Sequence, residues 1–174
     1  MSSALDTNDK LPELAAGVYD RLRHLADTIL AHQRVTPTVQ ATMLVHDAYV
    51  RLAERHIDWQ GPHHFYFAAA RAMRDILVER ARQRLGAKRG GGWERRPLEE
   101  NASVIDATPL EVLDLHEALL ELERLDPSKA QLAQLRYFAG LEMAEIAEVM
   151  GQSERTTHRQ WKFIKAWLRS RLER

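Results

Sequence analysis

The side chains between residues 153 and 172 sort into two sets with different chemistry. Arg155, Thr156, His158, Arg159, Lys162 and Lys165 carry hydrogen-bond donors, most of them on cations. Thr157, Trp161, Ile164 and Leu168 recur at steps of four, three and four. On a helix the second set forms one stripe for burial and turns the first set outward. A guanidinium can donate two bonds to the O6 and N7 edge of guanine, and an ammonium holds a phosphate. The chemistry this pattern supports is non-covalent reading of a duplex polyanion. Arg155, His158 and Arg159 are expected to reach bases, because they lie near the helix start. Lys162, Lys165 and Arg169 are expected on phosphates, and Trp161 and Trp167 in packing. The preceding residues supply the support: an apolar-periodic stretch from Leu141 to Met150, a corner at Gly151, and Ser153 as N-cap. Together they predict a helix-turn-helix whose second helix enters a major groove.

Catalytic chemistry is not supported. His46-Asp47 and His63-His64 suggest a metal phosphohydrolase, but adjacent residues on a helix point about 100° apart. A metal site needs several converging ligands with partners behind them, and those are not evident. No glycine-rich phosphate loop or nucleophile motif occurs. With no cysteine, disulfides and thiolate-ligated metals are excluded. The chain is read as no enzyme, with no cofactor and no metal. Residues 1–10 are polar, without the apolar core of a signal peptide, and no apolar run approaches a membrane span. A cytoplasmic protein is expected.

A net charge of zero hides a segregation. Between residues 71 and 96, Arg71, Arg74, Arg80, Arg82, Arg84, Lys88, Arg89, Arg95 and Arg96 outweigh Asp75, Glu79 and Glu94. Between 101 and 150 acids dominate, with only Arg124, Lys129 and Arg136 opposing them. From 151 onward the excess is basic again. Charge runs usually mark solvated faces. Two basic blocks flanking an acidic one suggest two separate contacts with a polyanion.

The elements that must hold these residues are helical throughout. Leu14, Val18, Leu22, Leu25 and Ile29 stripe a helix over about 11–32. Thr36-Pro37-Thr38 breaks it and starts a second, from about Val39 to Glu54, with Leu44, Val45, Ala48, Tyr49 and Leu52 inward. Residues 58–62 form a Gly-Pro loop, and a long third helix runs from His63 to about Leu85. Residues 86–109 lose periodicity. Beyond them a helix spans Leu110–Leu125, and Asp126-Pro127 caps another that stops at Gly140. The expectation is an all-α chain of two small helical domains, 10–90 and 110–174, joined by a flexible linker over 91–109.

In order and spacing these segments resemble the extracytoplasmic-function (ECF) class of bacterial RNA polymerase sigma factors. Leu44 to Leu52 (LVHDAYVRL) is similar to the polymerase-binding helix of sigma domain two. Trp59 to Phe67 (WQGPHHFYF) and Ala68 to Leu77 (AAARAMRDIL) resemble the segment that reads the minus-ten element. Residues 125–172, with EIAEVMG from Glu145, SERT from Ser153 and KAWLR from Lys165, resemble sigma domain four. The resemblance implies that the first domain grips the β′ clamp helices of core RNA polymerase through Leu44, Val45, Asp47, Tyr49 and Arg51. It implies capture of single-stranded minus-ten bases by Trp59 and His63, with Arg71, Arg74, Arg80, Arg82, Arg84 and Lys88 along the strand. Aromatic stacking of a base contributes about 1–3 kcal/mol. At least Phe65 and one of Tyr66 or Phe67 are expected in the core. The second domain would bind the β flap and the minus-thirty-five duplex through Arg155, Thr156, His158, Arg159, Lys162 and Lys165.

One departure stands out. Many ECF relatives carry an acidic Asp-x-Glu-Asp patch before the polymerase-binding Leu-Val, whereas here those positions are Gln40, Ala41, Thr42 and Met43. Met73-Arg74, the ILV run from Ile76 and the KRGG run from Lys88 suggest a subgroup without an obvious anti-sigma partner, some of whose members sit beside serine/threonine kinases. A phosphate on Thr42 would restore about −1.5 to −2 charges there. Phosphorylation at Thr42, or at Thr38 or Thr36, is therefore the expected switch, opposed by the plainer reading that Asp47 and polar contacts suffice. The competing function is a stand-alone helix-turn-helix regulator that binds duplex half-sites without polymerase. The free chain is expected to be a monomer and to have no membrane partner.

Overall fold

A computed structural model describes residues 39–55, 62–87 and 107–173. Among the described residues every element is a helix: α1 (Val39–Glu54), α2 (Pro62–Ala87), α3 (Pro109–Leu125), α4 (Pro127–Tyr137), α5 (Met143–Val149) and α6 (Glu154–Leu172). The all-α expectation holds. The expected helix over 11–32 and the loop carrying Trp59 lie outside the described residues, as does most of the expected linker.

Helix α1 buries Leu44, Ala48 and Leu52, one residue per turn, against α2. Helix α2 has a different character. Phe65, Ala69, Ala70, Ala72, Met73, Ile76, Val78 and Ala81 are all buried, and they do not share one stripe. The cause is that α2 is covered twice: α1 lies on one side, and α3 and α4 pack on another. The alanines allow that close approach. One continuous apolar core therefore runs from Leu44 to Leu168.

Local rules set the helix ends. Thr108 accepts from the Glu111 N–H at 3.3 Å, and Glu111 accepts from the Thr108 N–H at 2.6 Å, a capping box ahead of Pro109. Asp126 ends α3 and starts α4 at once. Its N–H donates to the Leu122 carbonyl at 2.7 Å, and its carboxylate accepts from the Lys129 N–H at 3.0 Å. Gly140, at φ 68°, lets the chain leave α4 in the left-handed region after the helix ends at Tyr137.

Candidate nucleic-acid interface

The corner between α5 and α6 is built from backbone conformation and side-chain caps. At its start the Glu145 carboxylate accepts from the Glu142 N–H at 2.8 Å. Gly151 takes φ 63°, which turns the chain without strain. Ser153 accepts from the Thr156 N–H at 3.2 Å and opens α6. Thr157, fully buried, donates to the Ser153 carbonyl at 3.1 Å and accepts from Gln152 Nε2 at 2.9 Å. The same Gln152 amide reaches Gln160 Oε1 at 3.0 Å, so the corner is tied into the first two turns of α6.

Beneath it, Thr157, Trp161, Ile164 and Leu168 form the buried stripe that the spacing predicts. Trp161 meets Tyr137 of α4 with ring centroids 5.4 Å apart. Burial pushes the Tyr137 hydroxyl up to about 12, so it stays neutral. Arg171 bonds Glu121 of α3 at 2.6 Å and lies over the Trp167 ring, which fixes the far end of α6. The assignment of both tryptophans to packing agrees with this: Trp161 is buried and Trp167 is packed against the core.

The outward face of α6 carries Arg155, Arg159 and Lys162, exposed and without an ion-pair partner among the described residues. His158 lies 3.4 Å from Glu154, one turn back on the same face. Thr156 has its hydroxyl 2.9 Å from Ser153 Oγ, which gives it a place in the cap. Lys165 is half-buried. One apolar side chain stands among these cations. Phe163 is 52 % exposed, with Lys129 Nζ of α4 5.3 Å from its ring centroid. Sequence reasoning missed Phe163, although it lies a step of four beyond Arg159 and off the buried stripe.

Between α1 and α2, Arg80 of α2 bonds Asp47 of α1 at 2.5 Å, and Arg51 pairs with Glu79. Two residues expected on polymerase, Asp47 and Arg51, are thus joined across the helix pair to α2, one of them to an arginine expected on DNA. His63, Arg71, Arg82 and Arg84 are exposed on α2. Trp59, Lys88 and Thr38 lie outside the described residues. Thr42 is within α1, but its side chain is not among those described. Two expectations drawn from the resemblance are corrected. Leu44 is 1 % exposed, in the core where its stripe on α1 puts it and not on the outer surface, so it supports that surface from beneath. Arg74 is 6 % exposed, buried on α2, and among the described residues it bonds neighbouring Asp75 at 3.2 Å. In this arrangement Arg74 is not available to a nucleic-acid strand. Met43 and Val50, which the sequence did not single out, are instead the exposed large apolar residues of α1, with Val45 and Tyr49 half-buried beside the core. Phe65 is buried, with Tyr66 packed edge-on to it at 5.5 Å and Phe67 also against the core, so these aromatics serve packing.

Among the described residues no group of acidic or histidine side chains is arranged to hold a metal ion, and no helix is long and apolar enough to cross a membrane. Compared with known proteins, the chain matches the family model described as ECF sigma factor over residues 6–174. No curated protein and no solved structure matches it.

Proposed function

The chain belongs to the ECF sigma factor family, whose members bring core RNA polymerase to promoters to start transcription, and we propose that it reads its upstream promoter element through the outward face of α6. The family works by binding and not by catalysis, so affinity and position are what the side chains must supply. The observation that carries the reading is the set of three cations, Arg155, Arg159 and Lys162, that have no ion-pair partner among the described residues, on a helix whose opposite face is locked into the core. Arg155, His158 and Arg159 take base edges, while Lys162, Lys165 and Arg169 take phosphates. The downstream, single-stranded element falls to Trp59, His63, Arg71, Arg80, Arg82, Arg84 and Lys88. The β′ clamp is met by the exposed surface of α1: Met43 and Val50 with Val45, Asp47, Tyr49 and Arg51. The protein acts in the cytoplasm as a monomer until it joins the core enzyme.

The test is transcription in vitro from templates selected with the assembled holoenzyme. Arg155→Ala with Arg159→Ala should abolish protection of the upstream element while core binding persists. Lys162→Ala should weaken binding evenly across sequences and lower the slope of log affinity against log salt by about 0.9. Unchanged protection by the double variant would overturn the assignment.

For regulation, we propose that a phosphate at Thr42 supplies the negative charge that the Gln40-Ala41-Thr42-Met43 stretch lacks for the β′ clamp. Core binding should rise for kinase-treated protein and Thr42→Glu, and stay at the untreated level for kinase-treated Thr42→Ala. Equal binding by all of them would end this idea, and Thr38 would be examined next.

A further inference from the structure

Phe163 is out of place by the rules that govern the rest of α6. Large apolar side chains on this helix lie on the buried stripe or pack beside it, and Phe163 does neither, with half its surface in solvent. It stands on the face that bears Arg155 and Arg159, which precede it at successive steps of four. Its ring is also positioned. Lys129 Nζ lies 5.3 Å from the ring centroid, and that lysine is tethered to the Asp126 carboxylate, which caps α4. A cation held by its own cap keeps one side of the ring occupied and leaves the rest facing out.

A major groove offers such a side chain one apolar feature. Guanine, adenine and cytosine present only donors and acceptors there, and thymine alone adds a C5-methyl group. We propose that Phe163 is a specificity-determining residue that packs on a thymine methyl of the upstream promoter element, next to the bases read by Arg155 and Arg159. This rests on the reading of α6 as the duplex-binding helix. It adds a preference that the arginines cannot supply, since they discriminate through hydrogen bonds. The span from Arg155 to Phe163 is about 12 Å along the helix axis, within the reach of a helix lying along the groove.

The experiment changes the DNA by one methyl group. Duplexes are first selected from a randomised pool with holoenzyme assembled from core polymerase and the full chain. Each thymine of the selected upstream element is then replaced by deoxyuridine, and binding is measured for wild type, Phe163→Ala and Phe163→Leu. At one thymine the replacement should weaken wild-type binding roughly fourfold, the equivalent of one buried methyl. Phe163→Ala should bind the thymine and uracil duplexes equally, near the wild-type level on uracil. Phe163→Leu, still apolar, should keep part of the discrimination. A methyl effect of the same size in Phe163→Ala would overturn the proposal, as would the absence of any sensitive thymine. If Phe163→Ala instead fails to assemble with core polymerase, the ring is a protein-docking residue and the proposal is wrong. If wild-type holoenzyme selects no upstream sequence, the reading of α6 itself fails, an outcome visible before any uracil is introduced.

Discussion

Thr157 shows how much of the corner depends on single atoms. Its hydroxyl is fully buried and satisfied twice, as donor to Ser153 and acceptor from Gln152. Thr157→Val keeps the shape and removes both bonds, leaving the Ser153 carbonyl and the Gln152 amide each one partner short. Stability should fall by about 1–3 kcal/mol, read by denaturant unfolding of the full chain. Trp161→Ala empties the contact with Tyr137 and should cost about 3–5 kcal/mol in the same measurement. These two positions were legible from spacing alone, because a stripe at steps of four and three has only one way to face a core. Arg74 was not. An arginine on a basic helix reads as a contact for DNA unless packing covers it, and here Arg74 is buried on α2, near His116 of α3.

At the scale of elements, the caps were the most readable features. Asp126-Pro127, Gly140, Gly151 and Ser153 all act where local rules put them, since each choice depends on residues within one turn. Helix α3 starts one residue before the Leu110 that the periodicity predicts, because the Thr108-x-x-Glu111 capping box makes Pro109 the first helical residue. Ser153→Ala should lower stability by about 1 kcal/mol. Gly151→Ala should lower it by about 1–2 kcal/mol through backbone conformation alone. A Cβ there meets nothing within 4 Å, so Gly151→Asn, which tolerates the left-handed region, should lose less. Lysine bonding holds the Asp126 carboxyl below its ordinary 3.8, with Lys129 donating from both side chain and backbone. A carboxyl depressed in the folded state stabilises above its ordinary value. That contribution should therefore disappear as pH falls from about 4 towards the folded value. In Asp126→Asn this part of the acid limb should flatten.

Across the whole molecule, α2 packs on α3 and α4, and the contact includes an awkward polar group. His116 of α3 buries its Nδ1 without a partner among the described residues. Burial first, then Arg74 and Arg82 of α2, pull its pKa below the ordinary 6.5, while Asp75 and Glu117 oppose them. Folded protein thus holds this proton less tightly than unfolded chain does. The stability tied to neutral His116 is complete above 6.5 and is lost as pH drops below it towards the folded value. Denaturation midpoints should fall between pH 7 and pH 5.5 in wild type, and change less in His116→Gln. An equal decline in both would remove His116 as the cause. The sequence by itself determined the all-helical class, the caps and the buried faces of α1 and α6, because those depend on neighbours three or four residues away. Only the tertiary structure decided that Arg74 is covered and that the Phe163 ring stands beside Lys129 of α4. What covers a helix face comes from segments distant in the chain, and no local period records which of them will arrive.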